Sequence, residues 1–125
     1  MTRRNRILFV DDEPNIRLTL PPVLEEHGFE VKAAGTVADA LTQINSSRFD
    51  VLISDLNVGE SGDGFRVVGA MREKQPACIT VILTGYPAFE TAVDAIRHKV
   101  DDYVVKPVDV EVLVNSLRDK LAKKH

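Results

Sequence analysis

Ile7-Leu8-Phe9-Val10-Asp11-Asp12 sets an unbroken apolar run directly against two carboxylates, and the pattern recurs along the chain. Val51-Leu52-Ile53-Ser54 runs into Asp55, and Tyr103-Val104-Val105 runs into Lys106-Pro107. Short apolar runs of this kind fit strands buried on both faces, as in a parallel sheet. Parallel strands bring their carboxyl ends to one edge, and ligands of open α/β sheets bind in the crevice there. On this reading Asp11, Asp12, Asp55 and Lys106 converge on a single pocket although they lie far apart in the chain.

Helix-like segments separate the strand-like ones, which predicts α/β architecture with helices on both faces of the sheet. The first strand is expected at Arg6 to Val10. The helix after it starts with Pro14 in its first turn, turns Ile16, Leu20, Val23 and Leu24 inward, and stops at Gly28. Pro21 and Pro22 fall inside this helix, and each interior proline removes a hydrogen bond at a cost of about 3 kcal/mol. A bend or break between Thr19 and Pro22 is therefore expected. The second strand is Glu30 to Ala34, and Thr36 three before Asp39 is a capping arrangement for a helix with Val37, Ala40, Leu41 and Ile44 inward. Asp50 to Ser54 follows as a strand, then a Gly-rich loop from Asn57 to Gly64 and a helix burying Val67, Val68 and Met71. Cys78 to Leu83 is the fourth strand, followed by a helix from about Pro87 with Phe89, Val93 and Ile96 inward. Asp102 to Val105 is the fifth. Asp109 caps a last helix with the stripe Val110, Leu113, Val114, Leu117 and Leu121.

The 125 residues fit one domain, and 44% hydrophobic with 28% charged content is ordinary for a globular chain. A net charge of −3 gives no basic footprint for direct nucleic-acid binding, and the terminal Lys and Arg clusters read as solvated charge. Cys78 is the sole cysteine, so an internal disulfide is excluded, and its apolar neighbours predict a buried thiol. No apolar stretch reaches the roughly 18 residues of a membrane span, and a cytoplasmic location is expected.

The acids decide the chemistry. Adjacent Asp11 and Asp12 splay at a strand end and can approach a cation from different sides, and oxygen donors of this kind suit Mg²⁺ or Mn²⁺. The plainer reading is that Asp12 or Glu13 caps the first helix, and Glu13 fits the helix dipole. Asp55, at its strand tip, can accept a phosphoryl group as an acyl phosphate. Lys106 offers a compact positive charge for carboxylates or phosphate oxygens. Thr84 offers a hydroxyl, with Gly85 beside it leaving the approach open. Two carboxylates about 4 Å apart repel by about 4 kcal/mol at an effective dielectric near 20, so clustered acids call for a counter-charge.

Taken together, Ile7 to Asp12, Ser54-Asp55, Thr84-Gly85 and Tyr103-Val104-Val105-Lys106-Pro107 resemble the receiver domain of two-component response regulators. The resemblance implies a flavodoxin-like five-stranded parallel sheet of order 2-1-3-4-5 with five helices, residues 1–125 forming one receiver domain without an output domain. It implies that Asp55 accepts a phosphoryl group from the phosphohistidine of a sensor histidine kinase or a phosphotransfer protein. Asp12, Asp55 and the backbone carbonyl of Asn57 would hold Mg²⁺, with Asp11 acting mainly through water. Lys106 would pair with phosphoryl oxygens, Thr84 would hydrogen-bond one of them, and Tyr103 would fill the space that Thr84 vacates. Such a module is a signalling switch that catalyses only its own phosphorylation and dephosphorylation, and a self-dimer formed on phosphorylation is among the partners the resemblance allows.

One departure stands out. The family's loop carries Met-Pro and a glycine eight residues past the aspartate, whereas Asn57 to Gly64 has no proline and its glycine, Gly64, lies one residue later. Greater mobility of this loop is expected. Tyr86, two after Thr84, is bulky enough to slow water attack at the pocket mouth. A phosphatase of the haloacid-dehalogenase type fits poorly, because its Asp-x-Asp pair is adjacent here and no Asp lies two beyond Asp55. An interaction module without phosphorylation would need neither the acids nor Lys106.

Overall fold

The computed structural model describes residues 4–85 and 89–124, with the side chains of 89–92 left aside. Five strands alternate with five helices: β1 (Arg6–Val10), α1 (Pro14–Glu26), β2 (Glu30–Ala34), α2 (Val37–Ser46), β3 (Val51–Asp55), α3 (Asp63–Lys74), β4 (Ile79–Thr84), α4 (Phe89–Arg97), β5 (Asp102–Val105) and α5 (Val110–Lys124). All neighbouring strands pair in parallel, in the order β2-β1-β3-β4-β5. This is the doubly wound, flavodoxin-like arrangement that the sequence led us to expect.

Side-chain alternation along the strands splits the core into two layers. Ile7, Phe9, Val51, Ile53, Val81 and Leu83 pack against Leu24 of α1 and Leu113 and Leu117 of α5. Leu8, Val10, Leu52 and Ile82 pack on the other face against Ala40, Ile44, Val67 and Met71 of α2 and α3. Burial on both faces is why the strands read as continuous apolar runs. Thr36 caps α2 as expected, its Oγ1 accepting the Asp39 N–H at 3.0 Å, and Asp109 Oδ1 accepts the Val112 N–H at 3.2 Å at the start of α5.

Several boundaries differ by a residue. β3 and β4 begin at Val51 and Ile79 rather than Asp50 and Cys78, and they end on Asp55 and Thr84. Asp50 instead turns its carboxylate to the Arg6 N–H at 2.8 Å, as Asp101 does to the Thr80 N–H at 2.8 Å. These two acids brace the edge of the sheet where the strands begin. The loop after β3 ends at Gly62, and Gly64 belongs to α3. A Cβ on Gly64 would press on the Asp55 carbonyl and on Leu56, so the start of α3 is held tight under the strand tip by an absent side chain.

Two expectations are corrected. Helix α1, expected to bend or break at Thr19 to Pro22, is one unbroken helix from Pro14 to Glu26. Pro21 is buried, while Leu18 and Pro22 lie on the exposed side, where water can satisfy the carbonyl that Pro22 leaves without a donor. Leu24, with Ile16 and Leu20, anchors both halves to the same core layer. In α4, Ile96 is 76% exposed rather than inward; among the described side chains of this helix the small Ala95 is the buried one, with Val93 half-buried. Tyr86, Pro87 and the Phe89 side chain lie outside the described residues.

Cys78 is 3% exposed, and burial, seconded by the carboxylates of Asp50 and Asp101, pushes its thiol pKa up to about 12.

Because Pro22 is exposed, Pro22→Ala restores an N–H for the Leu18 carbonyl without disturbing the core. The helix gains up to about 3 kcal/mol, less about 0.4–1 kcal/mol from a freer unfolded chain. The expected outcome is a higher midpoint in chemical denaturation.

Candidate functional site

The alternation that builds the core also builds the site. Ile7 and Phe9, Val51 and Ile53, and Val104 face the layer under α1 and α5. Two residues further on, the same side carries Asp11, Asp55 and Lys106 at the carboxyl edge of the sheet. The Lys106 Nζ sits 3.2 Å from Asp55 Oδ1 and 3.3 Å from Asp11 Oδ2. Oxygens of Asp11, Asp12 and Asp55 all lie within 4.8 Å of one another.

Each acid is held differently. Asp11 is fully buried; its Oδ1 accepts the Glu13 N–H at 2.9 Å and its Oδ2 takes Lys106. Asp12 is exposed, and its Oδ2 accepts the Gly59 N–H at 3.0 Å. The capping reading of these acids is not realised: Glu13, at the N-cap of α1, makes no side-chain cap bond. Asp55 ends β3, with the following Leu56 N–H donated to the Leu83 carbonyl at 2.8 Å. Asp12, Glu13, Asp55, Asn57, Gly85 and Lys106 line an open crevice of about 470 Å³.

The loop beneath is tied to this crevice. Gly59 and Gly62 take left-handed backbone angles, φ +86° and +81°, open to glycine at little cost. Asn57 Oδ1 accepts the Gly62 N–H at 3.0 Å, and Asp63 Oδ2 accepts the Glu60 N–H at 3.2 Å.

Thr84 ends β4, is 1% exposed, and accepts the Lys106 N–H on its carbonyl at 2.7 Å. Tyr103 pairs in register with Ile82, two residues before Thr84, and packs half-buried against the α2–α3 layer. Thr84 and Tyr103 therefore share one face of the sheet, opposite the face of Asp55 and Lys106 by alternation. The peptide bond between Lys106 and Pro107 is cis.

Charges set the protonation. Burial holds the Asp55 carboxyl above its ordinary 3.8; Lys106 pulls it down, while Asp11 and Asp12 push it further up. For Lys106, burial works against the ammonium, but Asp11 and Asp55 together hold its pKa above 10.5. An all-oxygen donor set with surplus negative charge fits a hard divalent cation.

Sequence reasoning brought the acids and Lys106 together correctly but did not see two bonds between side chain and backbone that hold the acids. One runs from the Gly59 amide to Asp12. The other runs from Arg17, whose Nη1 donates to the Asp11 carbonyl at 2.9 Å. Only the glycine at position 59 offered a signal, since a left-handed loop residue can turn its N–H toward a carboxylate.

Residues 7–118 match the model of the response regulator receiver domain. The chain belongs to that family. Its receiver is 40% identical over 110 residues to the alginate biosynthesis transcriptional regulatory protein AlgB of Pseudomonas putida, a match covering 88% of this chain and 24% of that protein. A CheY-like receiver domain protein from Methanospirillum hungatei superposes with a TM-score of 0.91 at 27% identity, covering 98% of this chain and 97% of the other. The response regulator TrrA of Thermotoga maritima, solved in complex with Mg²⁺–BeF, gives 0.80 at 33% identity over 93% and 98% of the two chains. The receiver thus spans about a quarter of the length of AlgB. Among its described residues no helix is long and apolar enough to cross a membrane.

A raised Asp55 pKa in the fold means that folding favours the protonated carboxyl. Stability from this group is complete below the ordinary value of 3.8 and is lost as pH rises through the raised value. Thermal unfolding without metal should therefore show Asp55→Asn more stable than wild type near neutral pH, the gap closing as pH falls toward about 3. A gap of constant size would refute the charge assignment.

Proposed function

We propose that this receiver takes a phosphoryl group on Asp55 from the phosphohistidine of a sensor histidine kinase or phosphotransfer protein. The observation that carries the reading is the Lys106 ammonium shared between Asp55 and buried Asp11, with Asp12 alongside. A carboxylate oxygen of Asp55 attacks phosphorus, the P–N bond of the donor breaks, and the imidazole leaves with the bonding pair. In-line transfer of this kind depends on positioning and charge stabilisation more than on covalent assistance.

Asp12, Asp55 and the main-chain carbonyl of Asn57 would hold Mg²⁺, or Mn²⁺ in its place, with Asp11 acting mainly through water. A bound cation supplies charge neutralisation on the phosphoryl oxygens. Lys106 neutralises a further oxygen, and Thr84 swings its hydroxyl around the tip of β4 to donate to the phosphoryl group. Moving Thr84 opens space on its face of the sheet for Tyr103, and about two new negative charges bias that change. The chemistry stays on the receiver itself, as autophosphorylation and its hydrolytic reversal, and the reader of the switched face is an output domain, a partner or a second copy. A cytoplasmic setting follows from the kinase partner.

Acetyl phosphate with Mg²⁺ should add a single phosphoryl group by mass spectrometry, and Asp55→Asn should abolish it. Persistent incorporation in that variant would remove Asp55 as acceptor. Lys106→Ala should keep the acceptor but slow phosphorylation by about a hundredfold, the scale for losing one charge-stabilising donor. Mg²⁺ should also raise the unfolding temperature of the wild type through linkage, and Asp12→Asn should largely lose that response; an unchanged response would exclude Asp12 as a ligand.

A further inference from the structure

We propose that Arg17 is a positioning residue for the acidic site, acting through the main chain of Asp11, and that Gly35 is glycine to make room for it. The inference deepens the cation and phosphoryl reading of the crevice and rests on it.

Asp11 lies one residue past β1, where the strand ladder ends. Its N–H still donates to the Ala34 carbonyl at 3.1 Å, but its own carbonyl is taken by Arg17 Nη1 at 2.9 Å. That carbonyl belongs to the rigid peptide plane that joins Asp11 to Asp12. Fixing it fixes the direction in which both carboxylates leave the chain. Arg17 stands one turn into α1, its N–H bonded to the Glu13 carbonyl at 3.2 Å, and side chains of a helix lean back toward its N-terminus. The guanidinium is thereby aimed over the strand end. Among the described residues Arg17 joins no salt bridge, so its charge-assisted bond is directed at a backbone carbonyl rather than an acid.

Gly35 provides the second, independent observation. Its backbone is outside the left-handed region, so conformation does not call for glycine there. Space does: a Cβ at Gly35 would stand 2.8 Å from Arg17 Nη1 and 2.9 Å from Cζ. The obstacle is the tip of a flexible side chain. An alanine at 35 therefore pushes the guanidinium off Asp11 with little strain on the sheet.

Titration calorimetry with Mg²⁺ alone, on the 125-residue chain, tests this through Arg17→Ala, Gly35→Ala and the double variant. Each single change should weaken Mg²⁺ binding about tenfold, as loss of a supporting partner does. The double variant should be no weaker than Arg17→Ala, because Gly35 matters only while the guanidinium is there. Phosphorylation by acetyl phosphate at saturating Mg²⁺ should recover most of the wild-type rate in both singles. Wild-type Mg²⁺ affinity in either single variant would overturn the proposal, and so would losses that multiply in the double. Should Arg17→Ala fold poorly, Gly35→Ala alone carries the test. Absence of Mg²⁺ binding in the wild type would instead overturn the metal reading beneath it, a distinguishable result.

Discussion

Gathering carboxylates at one point of a marginally stable fold is affordable only against a counter-charge. Lys106 is that charge. At an effective dielectric near 20, two acids about 4 Å apart repel by about 4 kcal/mol, a large share of a typical domain's stability. The ammonium touches both Asp55 and Asp11, so it offsets the repulsion for the half-buried acid as well as for the fully buried one. Asp55 still sits above its ordinary pKa, first because it is drawn out of water and then because Asp11 and Asp12 stand beside it. A site left in that condition favours a further positive charge, and the same imbalance that costs stability becomes affinity for a cation.

The sheet makes this crowding possible. Five parallel strands end together, and only their carboxyl edge carries the loops that bear the acids. The other edge is braced by Asp50 on Arg6 and Asp101 on Thr80, side chain to backbone. One edge is thus closed by its own hydrogen bonds and the other is left with surplus charge. Alternation then separates two roles across the sheet: Asp55 and Lys106 lie toward α1 and α5, Thr84 and Tyr103 toward α2 and α3.

Strand ends were legible because apolar runs stop where charges begin, and parallel pairing brings such stops together whatever their distance in sequence. The convergence of Asp11, Asp12, Asp55 and Lys106 needed no more than that. Contacts beyond the edge were scarcely legible, the glycine at 59 being the one hint. The Gly59 amide on Asp12 and the Arg17 bond to the Asp11 carbonyl depend on loop path and helix phase, which residue types do not encode. The two prolines of α1 misled for a related reason. Proline removes a donor wherever it stands, but the consequence depends on whether the orphaned carbonyl meets core or water, and burial of the neighbouring Leu24 with exposure of Leu18 decides that. Ile96 was misplaced because a three-residue spacing from Val93 leaves helix phase open, and Ala95 took the inward position.

The lone thiol ends the chain of consequences. Cys78 is sealed at the braced edge, with its ionisation held off to about pH 12. Nucleophilic reactivity belongs to the thiolate. Alkylating reagents at neutral pH will therefore find it only when the molecule opens, making it a built-in clock for unfolding that leaves the chemistry at the opposite end undisturbed.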